Sequence, residues 1–164
     1  MTRALVVIVI AACSNPPAPA PPVPVDPHVA TIDHLVGVWA GQAIGTPFGD
    51  FRFGIAFDRK PAGSVHGRLD GAPGMYLDFT FARGALVETG AIPSLGVQTH
   101  TLAAAAGTHW HDDTVDVDLQ ITGDQLVWTT SIRGTKHSEF RMQRETGDDA
   151  VAVRRAIATR LNSR

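Results

Sequence analysis

The strongest constraint on the fold is a period of two that returns in one short segment after another. Phe51, Phe53, Ile55 and Phe57 alternate with Arg52, Gly54, Ala56 and Asp58. Successive side chains of an extended chain point to opposite faces, so the four apolar residues share one face and the segment reads as a half-buried strand. After a turn at residues 58–63, Val65, Gly67 and Leu69 repeat the pattern. After a second turn at residues 70–74, Met75, Leu77, Phe79 and Phe81 do the same. Later, Val115, Val117, Leu119 and Ile121 lead into Gly123-Asp124, which suits a tight hairpin, and Leu126, Trp128, Thr130 and Ile132 return from it. Residues 133–136 turn again before Ser138, Phe140 and Met142, which lie opposite His137, Glu139 and Arg141. Between these blocks the pattern is weaker, with strands expected at 86–88 and 97–102 and a passage of small residues at 103–107. About eight to ten short strands without intervening helices predict an all-β, antiparallel up-and-down β-barrel, because closure removes the edges that would otherwise pair between chains.

The two ends of the chain have a different character. Arg3 precedes an apolar run from Leu5 to Ile10, which ends in Ile10-Ala11-Ala12-Cys13. The run is far shorter than the roughly 20 residues needed to span a bilayer as a helix. A basic start, an apolar stretch and small residues before a cysteine resemble the lipobox signal of bacterial lipoproteins. That resemblance implies cleavage after residue 12, lipidation of Cys13 with a palmitate-type acyl chain, and a location in the cell envelope. Ser14 resembles the outer-membrane class, facing the periplasm or the cell surface. Residues 13–29 are then the lipidated cysteine and a proline-rich linker. Proline fixes φ and removes the amide donor, so this run is expected to be a stiff spacer, with a PxxP ligand as the alternative. The barrel is expected over 30–146, with the apolar alternation starting at Ile32.

The C-terminal segment, 147–164, reads as an amphipathic helix. Ala150, Val153, Ile157 and Leu161 recur at spacings of three and four, Asp148 and Asp149 stand at its start, and arginines lie toward its end. Packing against the barrel is the expected role, and a membrane-surface helix the alternative.

One cysteine in 164 residues excludes an internal disulfide, so the domain must be stabilised by burial. A net charge of −2 offers no basic stripe, and no nucleic-acid partner is expected. The expected partners are the membrane through Cys13, a small apolar ligand, and another envelope protein.

Gly37-Val38-Trp39-Ala40-Gly41 opens the β region. Here the chain resembles the lipocalin and calycin superfamily, in which a Gly-x-Trp on the first strand lays its indole across the closed end of the barrel under an arginine from a late strand. The resemblance implies a barrel-closing structural pair of Trp39 and Arg141, with Arg133 as second choice. It also implies a barrel that binds a small apolar or amphipathic ligand. Leu35-Val36-Gly37-x-Trp39-x-Gly41 is also similar to the start of nitrobindins, which implies haem and makes His137 the candidate ligand. The texture of short strands and glycine turns further resembles the small barrel domains of exported bacterial proteins.

Two histidines with one residue between them on a strand face the same way, so His109 and His111 form a candidate transition-metal pair with nearby carboxylates. A polar loop explains the same residues, and no further ligand is evident, so neither a metal nor another cofactor is expected. No Gly-x-Ser-x-Gly elbow occurs, since Ile92-Pro93-Ser94-Leu95-Gly96 lacks the first glycine. His-Glu-x-x-His and phosphate-loop motifs are also missing, and no catalytic residue is assigned.

Overall fold

A computed structural model describes residues 27–46, 49–61, 63–71, 76–82, 84–92, 96–105 and 108–162. The signal segment, Cys13 and most of the proline spacer lie outside the described residues. Ten strands run in order: β1 (Gly37–Ile44), β2 (Phe51–Arg59), β3 (Val65–Asp70), β4 (Tyr76–Ala82), β5 (Ala85–Ile92), β6 (Gly96–Ala104), β7 (His109–His111), β8 (Val115–Thr122), β9 (Gln125–Ile132) and β10 (Thr135–Glu145). Each pairs antiparallel with the next, and β1 pairs with β10 to close the barrel. The fold is therefore all-β, a closed up-and-down barrel of lipocalin/calycin-like architecture, as the alternation predicts.

The alternating apolar residues fill the interior. Phe53, Ile55, Phe57, Val65, Leu69, Phe79, Phe81, Leu86, Leu102, Trp110, Leu119 and Trp128 are all buried in one cluster. Each such side chain contributes about 1.5–3 kcal/mol through removal from water. The rings meet mostly edge to face: Phe81 contacts Phe57, Trp110 and Trp128 at centroid distances of 6.0, 5.3 and 5.8 Å. This geometry suits the aromatic quadrupoles. Gly67 makes the packing possible on β3, because a Cβ there would occupy the space of the Phe57 ring.

A helix that the alternation does not reveal precedes the barrel. α1 spans Pro27–Leu35, so it begins within the stretch read as spacer and covers Ile32, where a strand-like pattern was expected to start. A proline is well tolerated in the first turn of a helix, where its missing amide has no intrahelical partner. Ile32 and Leu35, one turn apart, are buried in the barrel core, so α1 plugs one end.

The C-terminal helix, α2, spans Gly147–Asn162 and packs on the outside of the wall. Ile157, with Val153 and Ala150, covers Val38 of β1 and Ala56 of β2. Arg154 pairs with Asp58 at 2.9 Å. Gly54 is required beneath the helix, since a Cβ there would press against Val153. The expected packing role is the observed one. No helix among the described residues is long and apolar enough to cross a membrane.

Candidate functional site

The end plugged by α1 is held by four strong contacts. The Trp39 indole N–H donates to the Leu35 carbonyl at 2.8 Å. The Arg144 guanidinium lies over the Trp39 ring, 4.2 Å from its centroid, and donates to the carbonyls of Val36 at 2.7 Å and His34 at 2.6 Å. Gly37 has φ near +139° and leaves room for that guanidinium, since a Cβ there would strike Arg144 Nη1. The Gly-x-Trp pattern therefore works as a socket for an arginine, with the cation on the ring face.

The arginine is Arg144, which corrects the expectation of Arg141 or Arg133. Side chains of β10 alternate inward as Ser138, Phe140 and Met142, and Arg144 continues that face toward the closed end. Arg141 has the opposite parity, stands 66 % exposed and pairs with Glu139. Arg133 sits in the β9–β10 turn, at the far end of β10.

Further along the axis the barrel is filled. Phe53, Ile55, Leu69, Phe79, Trp128, Phe140 and Met142 surround a void of about 10 Å³, room for about one water molecule. The Trp128 indole nitrogen is buried without a hydrogen-bond partner among the described residues, and its ring lies 4.5 Å from that of Phe79.

Polar groups enter midway along β5 and β6, between the plugged end and the open one. Across β5 and β6, Leu86 pairs with Leu102, Glu88 with His100 and Gly90 with Gln98. Leu86 and Leu102 are fully buried, so alternation puts Glu88 and His100 on the same face, Glu88 half-buried with Phe79 as its other neighbour and His100 exposed. Burial pushes the Glu88 carboxyl above the ordinary glutamate pKa, and the nearby His100 opposes the shift. The wall is incomplete beside this pair. β7 has only three residues and meets β6 only at Ala103 and Ala104, which leaves the remainder of β6 as an open edge in the side wall. A carboxyl group and an imidazole thus face one another where an apolar interior opens to solvent. Such a pair can hold a polar or cationic head group and can pass a proton. Sequence reading missed Glu88, although its parity with Leu86 marks it as inward-facing.

The histidine pair falls on the outer wall. His109 and His111 stack with ring centroids 5.8 Å apart, on either side of the buried Trp110. His109 Nδ1 lies 2.8 Å from Asp118 and its Nε2 lies 3.3 Å from Asp116, so both ring nitrogens face carboxylates of β8. Asp112 instead accepts the backbone N–H groups of Thr114 and Val115, each at 2.7 Å, and so shapes the β7–β8 turn. These two hydrogen bonds hold its carboxyl below the usual range. No three metal-ligating side chains converge among the described residues. His137 is exposed beside the irregularity in β10, outside the packed interior.

The fold and its plugged end define a closed up-and-down barrel with a lipocalin-like Trp–Arg closure. No family model matches the sequence, and no curated protein matches it.

Proposed function

We propose that the chain is a lipid-anchored binding protein of the cell envelope, tethered through Cys13 and lifted from the membrane by its proline spacer. In this reading the barrel takes a small amphipathic molecule at the gap beside β6, not along its axis. The carrying observation is the Glu88–His100 pair, set on one face of the wall of a barrel whose axis is filled with aromatic side chains. An ionisable carboxyl at the edge of an apolar interior carries a desolvation cost and contributes nothing to packing. A ligand head group with donors to that carboxyl would offset the cost, while its apolar part would lie against Leu77 and Phe79. The lipid anchor rests on Ile10-Ala11-Ala12-Cys13, and Ser14 favours the outer membrane.

Two measurements test the two halves separately. Cys13→Ser should abolish labelling by a palmitate analogue and release the protein from membranes; retained labelling would remove the anchor. The soluble Cys13→Ser chain should retain dodecylamine in preference to dodecanol and dodecanoate in native mass spectrometry. Adding Glu88→Gln should erase that preference. Equal retention of all three amphipaths by both chains would sink the Glu88 site.

A further inference from the structure

The outer wall carries a polar groove unrelated to the Glu88–His100 pair. It lies across β2, β1, β10 and β9, has a volume of about 690 Å³ and is lined by Arg52, Gln42, Arg141, Gln143, Gln125 and Val127 among others. That volume is in the range of small-molecule sites. The strand register explains its composition. Gln42 pairs with Arg52 on one side and with Arg141 on the other, so the three outward side chains form one row. Strands lie about 4.8 Å apart, which places the two arginines about 10 Å apart with an amide between them. In the adjacent row Gln143 lies between Ala40 and Gln125. Ala40 leaves the floor low, and beyond it Gly54 is covered by Val153 of α2.

The charges are arranged for an anion. No carboxylate lines the groove, although the chain as a whole is net negative. Arg52 has no ion-pair or hydrogen-bond partner among the described residues. Arg141 uses its Nε on Glu139 Oε1, while Lys136 takes Glu139 Oε2. Glu139 is thereby held ionised, with its pKa lowered by these two hydrogen bonds. It fixes the Arg141 guanidinium by one edge and leaves the terminal nitrogens for another acceptor.

We propose that this groove is an anion-binding site, in which Arg52 and Arg141 clamp a phosphate or carboxylate group and the glutamine amides hydrogen-bond the polar body that carries it. Glu139 is a positioning residue for Arg141. The anion can belong to a soluble molecule or to a lipid head group, and the experiment distinguishes the two.

The full chain is titrated with inorganic phosphate and with citrate while backbone amide resonances are followed, and is separately sedimented with vesicles of phosphatidylcholine with or without phosphatidylglycerol. Saturable shifts confined to β1, β2 and β10 are expected. Arg52→Gln and Arg141→Gln should each weaken binding by about tenfold, and the double substitution should abolish it. Arg155→Gln, which removes a charge from the exposed face of α2, serves as a control that leaves it unchanged. Sedimentation that depends on both phosphatidylglycerol and Arg52, without a response to the soluble anions, assigns the site to a lipid head group. Shifts that persist in the double variant, or no response to phosphate, citrate or anionic vesicles, overturn the proposal. Both arginines are exposed, so an unchanged melting curve verifies that the variants are folded.

Discussion

Arg144 and Trp39 lock one another across the seam of the barrel. The guanidinium lies 4.2 Å from the indole centroid, and its two terminal nitrogens hold the chain that links α1 to β1. One side chain from the last strand thus fixes the first strand, the plug helix and the ring on which the helix rests. Lysine can supply the charge but not the planar fork that serves two carbonyls and a ring face.

Arg144→Lys should therefore lower stability by about 1–3 kcal/mol, the range for lost charge-assisted hydrogen bonds. Arg133→Lys, in an exposed turn, should stay within about 0.5 kcal/mol. Urea unfolding midpoints of the two variants provide the comparison, and equal midpoints would show that the Trp39 socket does not depend on this arginine.

The seam also depends on Gly41, where a Cβ would overlap the Arg141 carbonyl oxygen of the paired strand. Backbone cannot yield as a flexible side chain can, so Gly41→Ala should cost about 3 kcal/mol, the upper end of overpacking penalties. Gly45 has φ near +69° with open space around it, and Gly45→Ala should cost only the left-handed backbone penalty, about 1–2 kcal/mol. The order of the two melting temperatures decides between steric overlap and backbone strain as the larger effect.

Two glutamates should tilt the pH dependence of stability in opposite directions. Burial raises the Glu88 pKa in the folded chain, so the folded state keeps a proton that the unfolded state releases. Stability then falls as pH rises from the ordinary value of about 4.3 through the raised one. Glu139 is lowered by Lys136 and Arg141, so its contribution is complete above the ordinary value and is lost as pH falls through the lowered one. Relative to the parent, Glu88→Gln should gain stability as pH rises above the ordinary glutamate value, and Glu139→Gln should lose less at pH 3 than at neutral pH. Denaturant midpoints across that range would show an unchanged pH slope in either variant if its carboxyl does not titrate as described.

The outer helix is held by a small cluster. Ile157 is buried against Val38 and Ala56, so Ile157→Ala should cost about 2 kcal/mol, the lower end for buried isoleucine truncation. Val151, on the exposed face of α2, should tolerate alanine within about 0.5 kcal/mol. Protease nicking within 147–162 should increase for the first variant only.

Much of this architecture can be read from residue order alone. Phe51 to Phe57 and Val115 to Ile121 alternate so regularly that strand, inner face and turn follow together, because a one-residue slip would bring every apolar side chain to solvent. Other features needed the partner strand to be known. α1 is short and follows a proline run, so its two core residues, Ile32 and Leu35, give too little periodicity to separate a helix turn from a strand. Arg144, and not Arg141, continues the parity that Phe140 and Met142 already display in the sequence. Glu88 shares the parity of Leu86, but its neighbours Phe79 and His100 come from other strands, so residue order does not show what it faces. The Arg52–Gln42–Arg141 row likewise exists only through register, since no linear spacing brings residues 52 and 141 together.

Arg144 reaches the His34 carbonyl across 110 residues of sequence, and this distance has a kinetic meaning. Every other strand pair is a neighbour in the chain, but the seam forms only after the final strand is available. Loop closure over such a separation costs entropy before any contact repays it. The barrel should therefore assemble as a growing, curling meander and latch in its last step, and a chain that stops before Thr135 would retain two open edges and a plug helix with no arginine to fasten it. Arg144 acts as the clasp of a bracelet, threaded last and holding everything placed before it.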